Sequence, residues 1–255
     1  MSVLSFYDQL ADDYHLIFKD WQAGLRQQGQ ILHDFIAQIR PQAPDLTLYD
    51  CSCGIGTQAI GLALQGYTVH ATDISPLSVE RAQKEASALG LNMTFGVADF
   101  RSLTDDVDGK FDVVLSCDNA LPHLLTEDDL ALAAQNLFSK VKSGGLLLIS
   151  IRDYDELLKA RPHTTPITVL DNVDGNRRIR FQVWDWQGDS PIYVLNQFIV
   201  SGKDNWTTHH YQTKYRALQR AEITPFLTQA GFEDVQWHMP ETSGYYQPIV
   251  TAQKA

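Results

Sequence analysis

The stretch LYDCSCGIGTQAI, residues 48–60, sets an acid, two cysteines and two glycines between an apolar run and a helical pattern. Gly54, Gly56 and Ala59 fit the G-x-G-x-x-G/A spacing that joins a strand to a helix. Glycines there allow a tight turn, and the amides at the helix start favour negative charge. By itself the spacing points to a dinucleotide. Asp50 argues for another ligand. It stands at the strand tip, four residues before Gly54, where a carboxylate repels a pyrophosphate and welcomes an ammonium group. Asp73 ends the next apolar run, seventeen residues beyond Gly56, where an acid can accept from both hydroxyls of a ribose. Asp99 follows a third run and can accept from an exocyclic adenine amine while Phe100 lies against the ring. Three acids at successive strand tips sketch adenosine with an amino-acid tail and no phosphate. The plainer reading makes each Asp a helix or turn cap.

Outward from this loop, short apolar runs alternate with helical patterns. Strands are expected at 46–50, 67–72, 92–97, 111–116 and 145–151. Helices are expected at 57–65, at 76–89 with Ser75 and Pro76 as cap and first residue, and at 127–139 after Thr126. The alternation predicts an α/β fold with a doubly wound, mainly parallel sheet. The first forty residues read as helix: Leu10, Tyr14, Ile17, Phe18 and Trp21 keep helical spacing, then Leu25, Ile31, Leu32, Phe35, Ile36 and Ile39, with Pro41 and Pro44 closing the region. After a short helix over Asp153–Lys159 the alternation stops. Period-two runs at Ile179, Phe181, Val183 and at 192–200, broken by Gly188-Asp189-Ser190-Pro191, predict an antiparallel β insertion. A helix at 219–230, ended by Gly231, precedes strands near 233–238 and 247–253. The expected organisation is a helical cap at 1–45, a ligand-binding domain of 46–160 and 218–255, and an inserted β lid at 161–217.

Composition narrows the partners. Hydrophobic residues at 44% and charged ones at 20% of 255 are ordinary for a soluble globular protein. The longest apolar run, around Leu146–Ile149, is far short of the ~20 residues of a membrane span. Asp8, Asp12 and Asp13 stand where a secretory signal would be basic and then apolar, so a cytoplasmic protein without membrane contact is expected. A net charge of −11 argues against a nucleic-acid partner. The local cluster Arg177, Arg178 and Arg180, beside Asp171 and Asp174, reads as a solvated strand edge. Cys51 and Cys53 form a lone Cys-x-Cys, so reduced thiols are expected rather than a zinc site or a disulfide.

The ligand described is S-adenosylmethionine, and the residues resemble the class I S-adenosylmethionine-dependent methyltransferases. Leu48-Tyr49-Asp50-Cys51-Ser52-Cys53-Gly54-Ile55-Gly56-Thr57 matches that family's first motif, Val69-His70-Ala71-Thr72-Asp73 its ribose-binding acid, Phe111-Asp112-Val113-Val114 its fourth strand, and 142–149 the turn and fifth strand. The likeness covers 46–152 and, more loosely, the chain's end. It implies a seven-stranded sheet with an antiparallel last strand, the cofactor across the strand tips and S-adenosylhomocysteine as product. Cofactor-binding candidates are then Asp50, Gly54, Gly56, Asp73, Ile74, Asp99, Phe100 and Cys117.

Residues 116–124 follow the fourth strand and should face the methyl group. Methyl transfer from a sulfonium is an in-line displacement in which positioning supplies much of the rate. His123 is either a proton acceptor near neutral pH or a hydrogen-bonding spacer. Cys117 lacks the Pro-Cys context of cytosine-methylating enzymes and reads as packing. Asp118 and Asn119 have no second acidic pair after the fifth strand, so no metal is expected. Arg152 stands at that strand's tip, and its planar fork suits a carboxylate.

Here the chain resembles the glycine and sarcosine N-methyltransferase branch, which carries Arg-Asn-Tyr-Asp where this chain has Arg152-Asp153-Tyr154-Asp155. The resemblance implies that Arg152 holds a substrate carboxylate and that Asn119 contacts the amino acid, while His123-Leu124 falls on the branch's His-Leu. Asp153 and Asp118 depart from the branch and bear on substrate choice. The other reading of Arg152 is a salt bridge to Asp118, Asp153 or Asp155. Residues 6–14 resemble the family's N-terminal helix over the cofactor, and Tyr7, Tyr14 and Trp21 are candidates to shield the methionyl tail or bind substrate, though packing of an amphipathic helix explains them as well. Tyr245 lies in a stretch like the branch's Tyr-bearing hairpin. With Asn119 and Arg152, Tyr7, Tyr14 and Tyr245 are the substrate-binding candidates; Asn119, His123 and Arg152 are the catalytic ones. Trp184, Trp186, Tyr193 and Trp206 of the insertion are expected to roof the pocket or fill a core.

The expected function is methyl transfer from S-adenosylmethionine to a small-molecule amine bearing a carboxylate. The alternatives are an O-methyltransferase for a phenolic or carboxylic metabolite with His123 as base, an NAD-dependent oxidoreductase resting on the glycine spacing, and a cofactor sensor without turnover.

Overall fold

In the computed structural model the apolar runs become β1 (Thr47–Asp50), β2 (Thr68–Asp73), β3 (Thr94–Val97), β4 (Phe111–Ser116) and β5 (Val141–Ser150), all parallel. The structure describes residues 2–41, 45–173 and 175–255, without the side chains of residues 172 and 173; Pro44 and Asp174 lie outside it. Two later strands of this sheet, β10 (Glu233–His238) and β11 (Ile249–Gln253), complete the order β10-β11-β5-β4-β1-β2-β3, with β11 antiparallel to both neighbours. This is the doubly wound sheet with an antiparallel last strand that the sequence predicts. Strand order reverses between β1 and β4, so a crevice opens at the carboxyl ends of those strands, where Asp50 lies. Leu48, Tyr49, Val113, Val114, Leu115 and 146–149 are fully buried, as a sheet covered on both faces requires.

The covering helices are α1 (Val3–Leu10), α2 (Trp21–Ile39), α3 (Thr57–Ala63), α4 (Pro76–Ala88), α5 (Leu103–Asp106), α6 (Glu127–Lys140), α7 (Tyr154–Ala160), α8 (Arg220–Ala230) and α9 (Pro240–Ser243). Asp20, Ser75 and Thr126 cap α2, α4 and α6 with their side chains. Helices α2 and α3 cross at glycines: a Cβ on Gly29 would stand 2.4 Å from the carbonyl carbon of Gly61. No side chain fits that contact, and the long N-terminal helix rests directly on the helix that begins at the glycine loop. No helix among the described residues is long and apolar enough to cross a membrane.

The N-terminal region is not one helical run. Residues 11–20 break it with a 3-10 turn at Tyr14–Ile17 and extended backbone at Phe18. Polar capture overrides the apolar spacing there, because Asp20 accepts from the Ala23 amide at 2.9 Å and the Asp13 carboxylate bonds to His209 and Tyr211. Strand β5 also begins earlier than the expected 145. Val141 pairs with Phe111 ahead of a register shift, and Gly144, at φ 73°, accommodates the irregularity.

A second sheet of β6 (Thr168–Val173), β7 (Asn176–Trp186), β8 (Ile192–Gly202) and β9 (Trp206–Arg216) is wholly antiparallel. Phe6 and Leu10 of α1 pack with Ile199 and Tyr211 of this sheet, whereas Trp184, Tyr193 and Tyr215 join the main core. Trp206 is 48% exposed and roofs nothing. The arginine cluster is not a uniform solvated edge. Arg177 pairs with Asp171 at the surface, Arg178 is 8% exposed, and Arg180 points to a chamber described below.

Candidate active site

A cleft of about 330 Å³ opens at the reversal point, lined from the glycine loop, the tips of β2, β3 and β4, and the N-terminal segment. Gly54, Asp73, Ile74, Asp99, Phe100, Cys117, His123, Tyr7 and Tyr14 all line it. Asp50, Gly56, Asn119, Arg152 and Tyr245 do not.

Asp50 lies one layer behind the cleft wall formed by Cys51, Ser52 and Gly54, and is 1% exposed. Its Oδ1 accepts from the Ser52 amide at 3.1 Å, while its buried Oδ2 has no hydrogen-bond partner among the described residues. Burial pushes its carboxyl up to about 7, against the pull of the Ser52 amide. A buried acceptor without a donor is costly, and an ammonium group is the complement it lacks. Asp73 accepts from the Gly54 amide at 2.8 Å and the Ser75 amide at 2.9 Å, which fixes its carboxylate on the cleft rim. Burial outweighs those two bonds and lifts its carboxyl to about 6. The two loop glycines differ in task. Gly54, at φ 53°, faces open space in the cleft; Gly56, at φ 95°, makes room for Ile60, whose Cδ1 would be 2.5 Å from a Cβ.

Asp99 has a partner the sequence reading did not give it. Arg101 grips it through Nη2 at 2.6 Å and Nε at 2.9 Å, and reaches Asp129 at 3.5 Å. Burial pushes the Asp99 carboxyl up, but the bonds and charge of Arg101 prevail and hold it below its ordinary value. Phe100 lies beside it on the cleft wall. These groups fit the expected cofactor: an orphaned buried carboxylate for the ammonium, a rim carboxylate for the ribose, an aromatic wall for the base.

At the tip of β4, Asp118 and Asn119 both take left-handed backbone, at φ 59° and 69°. That turn aims Asp118 into the cleft, where it accepts from Tyr14 at 3.1 Å, from Tyr246 and from Gln247 at 3.4 Å. The hairpin tyrosine at this site is therefore Tyr246. Tyr245 turns inward, fully buried, and donates to Gln28 at 3.0 Å. A period-two pattern cannot say which of two adjacent tyrosines in a turn faces a cleft. Asn119 is 2% exposed and works as a joint, accepting from the Arg152 amide at 3.0 Å and donating to Tyr154 at 3.0 Å.

His123 takes the spacer arrangement. Its Nδ1 lies 3.2 Å from the Lys214 carbonyl and so carries the proton, leaving Nε2 to accept from Tyr7 at 2.9 Å. Burial pushes its pKa down to about 3, so the ring is neutral and its acceptor is already in use. A group more acidic in the folded than the unfolded chain costs stability as the pH falls through the gap. Stability should decline from about pH 6.5 downward by up to about 1.4 kcal/mol per pH unit from this residue. Urea denaturation at pH 7 and 5 should show that slope flattened in His123→Gln. Cys117 is a buried thiol, pushed well up by burial, which suits packing rather than attack.

Arg152 makes none of the three salt bridges open to it. Arg220 takes Asp153 at 2.7 Å and Asp155 at 3.3 Å. The Arg152 guanidinium instead donates to neutral groups, Tyr193 at 3.1 Å and Gln182 at 3.3 Å, with the Trp184 ring 4.9 Å and the Tyr215 ring 5.5 Å away. It is linked to the cleft through Tyr215, whose hydroxyl is 3.4 Å from that of Tyr7.

Known proteins match this arrangement. A family described as a methyltransferase domain matches residues 48–145. A glycine/sarcosine N-methyltransferase of Parasynechococcus marenigrum is 30% identical over 55% of this chain and 48% of its own. The chain thus spans about half the length of that relative. A magnesium-protoporphyrin O-methyltransferase of Synechocystis is 29% identical over 82% of this chain and 72% of its own. The crystal structure of Streptomyces venezuelae DesVI shares the fold, with a TM-score of 0.79 at 17% identity over 96% of this chain and 98% of that one. With the domain match spanning the glycine loop and the strand tips, and this sheet built around it, residues 48–145 form a methyltransferase domain, and the chain is similar to the class I S-adenosylmethionine-dependent methyltransferases.

Proposed function

We propose that the protein methylates the nitrogen of a small amine that also bears a carboxylate. The observation that carries this reading is Arg152, a guanidinium whose side-chain hydrogen bonds go to the neutral groups Tyr193 and Gln182 while the acids beside it are held by Arg220. A carboxylate is the partner such a fork is shaped for. The relatives add weight, since one named for glycine and sarcosine is 30% identical over 140 residues of this chain.

S-adenosylmethionine, when bound, supplies a methyl group on a sulfonium. Asp50 is the group to hold its ammonium, Asp73 its ribose and Phe100 its base. Arg152 fixes the acceptor by its carboxylate, and Asn119 holds Arg152 through the backbone. Tyr7, Tyr14 and Asp118 face the cleft and exclude water from its reacting end. Proximity then supplies much of the rate, because the attacking nitrogen needs only to be neutral and in line.

The O-methyl reading draws on the Synechocystis relative, but its expected base, His123, has its Nε2 engaged by Tyr7. Mass-resolved transfer from labelled S-adenosylmethionine to glycine, sarcosine, aspartate and simple phenols decides between them. Label on an amine nitrogen is expected. Label on phenol oxygen alone would overturn the reading.

A further inference from the structure

Helix α7 and the second sheet border an open chamber of about 490 Å³ that shares no lining residue with the cleft. Arg152 and Arg180 both line it, and among the described residues no Asp or Glu does. In a chain of net charge −11, a recess with two guanidinium groups and no carboxylate reverses the prevailing sign. Arg180, Gln182 and Trp184 occupy alternate positions of β7 and line this recess together, as residues on one face of a strand do. The Gln182 carbonyl accepts from Arg152 at 3.3 Å and from Trp184 at 3.0 Å, and its amide donates to Gln197 at 2.9 Å. Gln182 therefore pins Arg152 in place.

Arg180 stands two residues along the strand from Gln182, a step of about 7 Å. Its side chain forms no hydrogen bond or ion pair among the described residues, and its Nε is buried. Burial and the nearby Arg178 both push its guanidinium down from its ordinary value. Two partly desolvated cations facing one recess destabilise the chain unless an anion answers both.

We propose that this chamber receives the anionic end of the methyl acceptor, whose nitrogen reaches past Tyr215 toward the cleft, and selects an amine carrying two anionic groups, one for Arg152 and a second for Arg180. The proposal rests on the amine reading above and adds the second charge to it. Trp184 gives the chamber an apolar wall beside Arg152. The second group is a carboxylate or a phosphate, since a guanidinium grips either.

Aspartate and phosphoserine, set against glycine and sarcosine as acceptors, distinguish the two forms and test the site. The dianionic amines should show kcat/KM at least tenfold above the monoanionic ones, with the better of the two naming the second group. Arg180→Gln should cut that ratio tenfold or more through KM, and Arg180→Lys should restore part of it. The thermal shift given by S-adenosylhomocysteine reports that each variant is folded. A ratio near one, or a ratio that Arg180→Gln leaves unmoved, overturns the second charge. If no amine is methylated, calorimetry of the same dianions on the S-adenosylhomocysteine complex still decides: binding lost in Arg180→Gln upholds the chamber and sinks the amine reading, whereas no binding sinks the chamber.

Discussion

Replacing Asp50 by Asn is expected to weaken S-adenosylhomocysteine binding at least about thirtyfold while making the ligand-free protein more stable at pH 8. Both effects come from one buried oxygen. Asp50 Oδ2 has no donor among the described residues, and a carboxyl moved from its ordinary value near 4 to about 7 by burial costs the folded chain up to about 4 kcal/mol when ionised. The neutral amide escapes much of that cost, less its own desolvation, so a gain of order 1 kcal/mol is a reasonable expectation. Removing one partner of a buried charge pair costs about 2–5 kcal/mol, which is roughly 30- to several-thousand-fold in affinity. The sign of the pH dependence follows. The folded ligand-free chain binds this proton more tightly than the unfolded one, so its contribution to stability falls as pH rises from about 4 to about 7 and is flat above. Affinity for the ammonium-bearing ligand runs the other way, rising with pH up to about 7. Calorimetry across pH 5.5–8.5 and thermal melts of both proteins check this; undiminished binding by the Asn variant would place the ligand's ammonium elsewhere.

Arg152→Ala should lower kcat/KM for the amine acceptor by 100- to 1,000-fold and leave the affinity for S-adenosylhomocysteine within about twofold. The guanidinium is not among the cleft's lining residues; it adjoins the cleft through the hydroxyl contact of Tyr215 with Tyr7 and through its charge on Asp118 and His123. A charge-assisted, two-point grip on a carboxylate in a partly buried setting is worth several kcal/mol. Arg152→Lys should recover little, because an ammonium cannot reproduce the planar fork while also answering Tyr193 and Gln182. Steady-state kinetics on the acceptor and titration with S-adenosylhomocysteine separate the roles. A parallel loss of both would make Arg152 a packing residue of the strand tip.

The central strands and the glycine loop were legible in the sequence because their signals are local. An apolar run, a turn that needs positive φ and an acid at each tip lie within a few residues of one another, as at Leu48–Gly56. What failed to show depended on distant partners. Nothing near His123 told how deeply Tyr7 and Tyr215 would bury it, whereas Arg101 was within two residues of Asp99 and its charge could have been read as the clamp it is. The break at residues 11–20 came from β9, some two hundred residues later, drawing Asp13 to His209 and Tyr211. Arg180 looked like part of a surface cluster because charge count cannot tell which face of a strand a residue occupies once another element packs on it.

The tip of β4 has a consequence for how the protein moves. Asp118 is tied to Tyr14 from near one end of the chain and to Tyr246 and Gln247 from near the other. A single carboxylate thus works as a common latch for both termini. Releasing either end alone strips donors from a buried charge and raises the cost of holding the rest, so the two flaps unfasten as one unit. The two segments should therefore loosen together, and hydrogen exchange in residues 3–17 and 244–248 is expected to rise in parallel in Asp118→Ala.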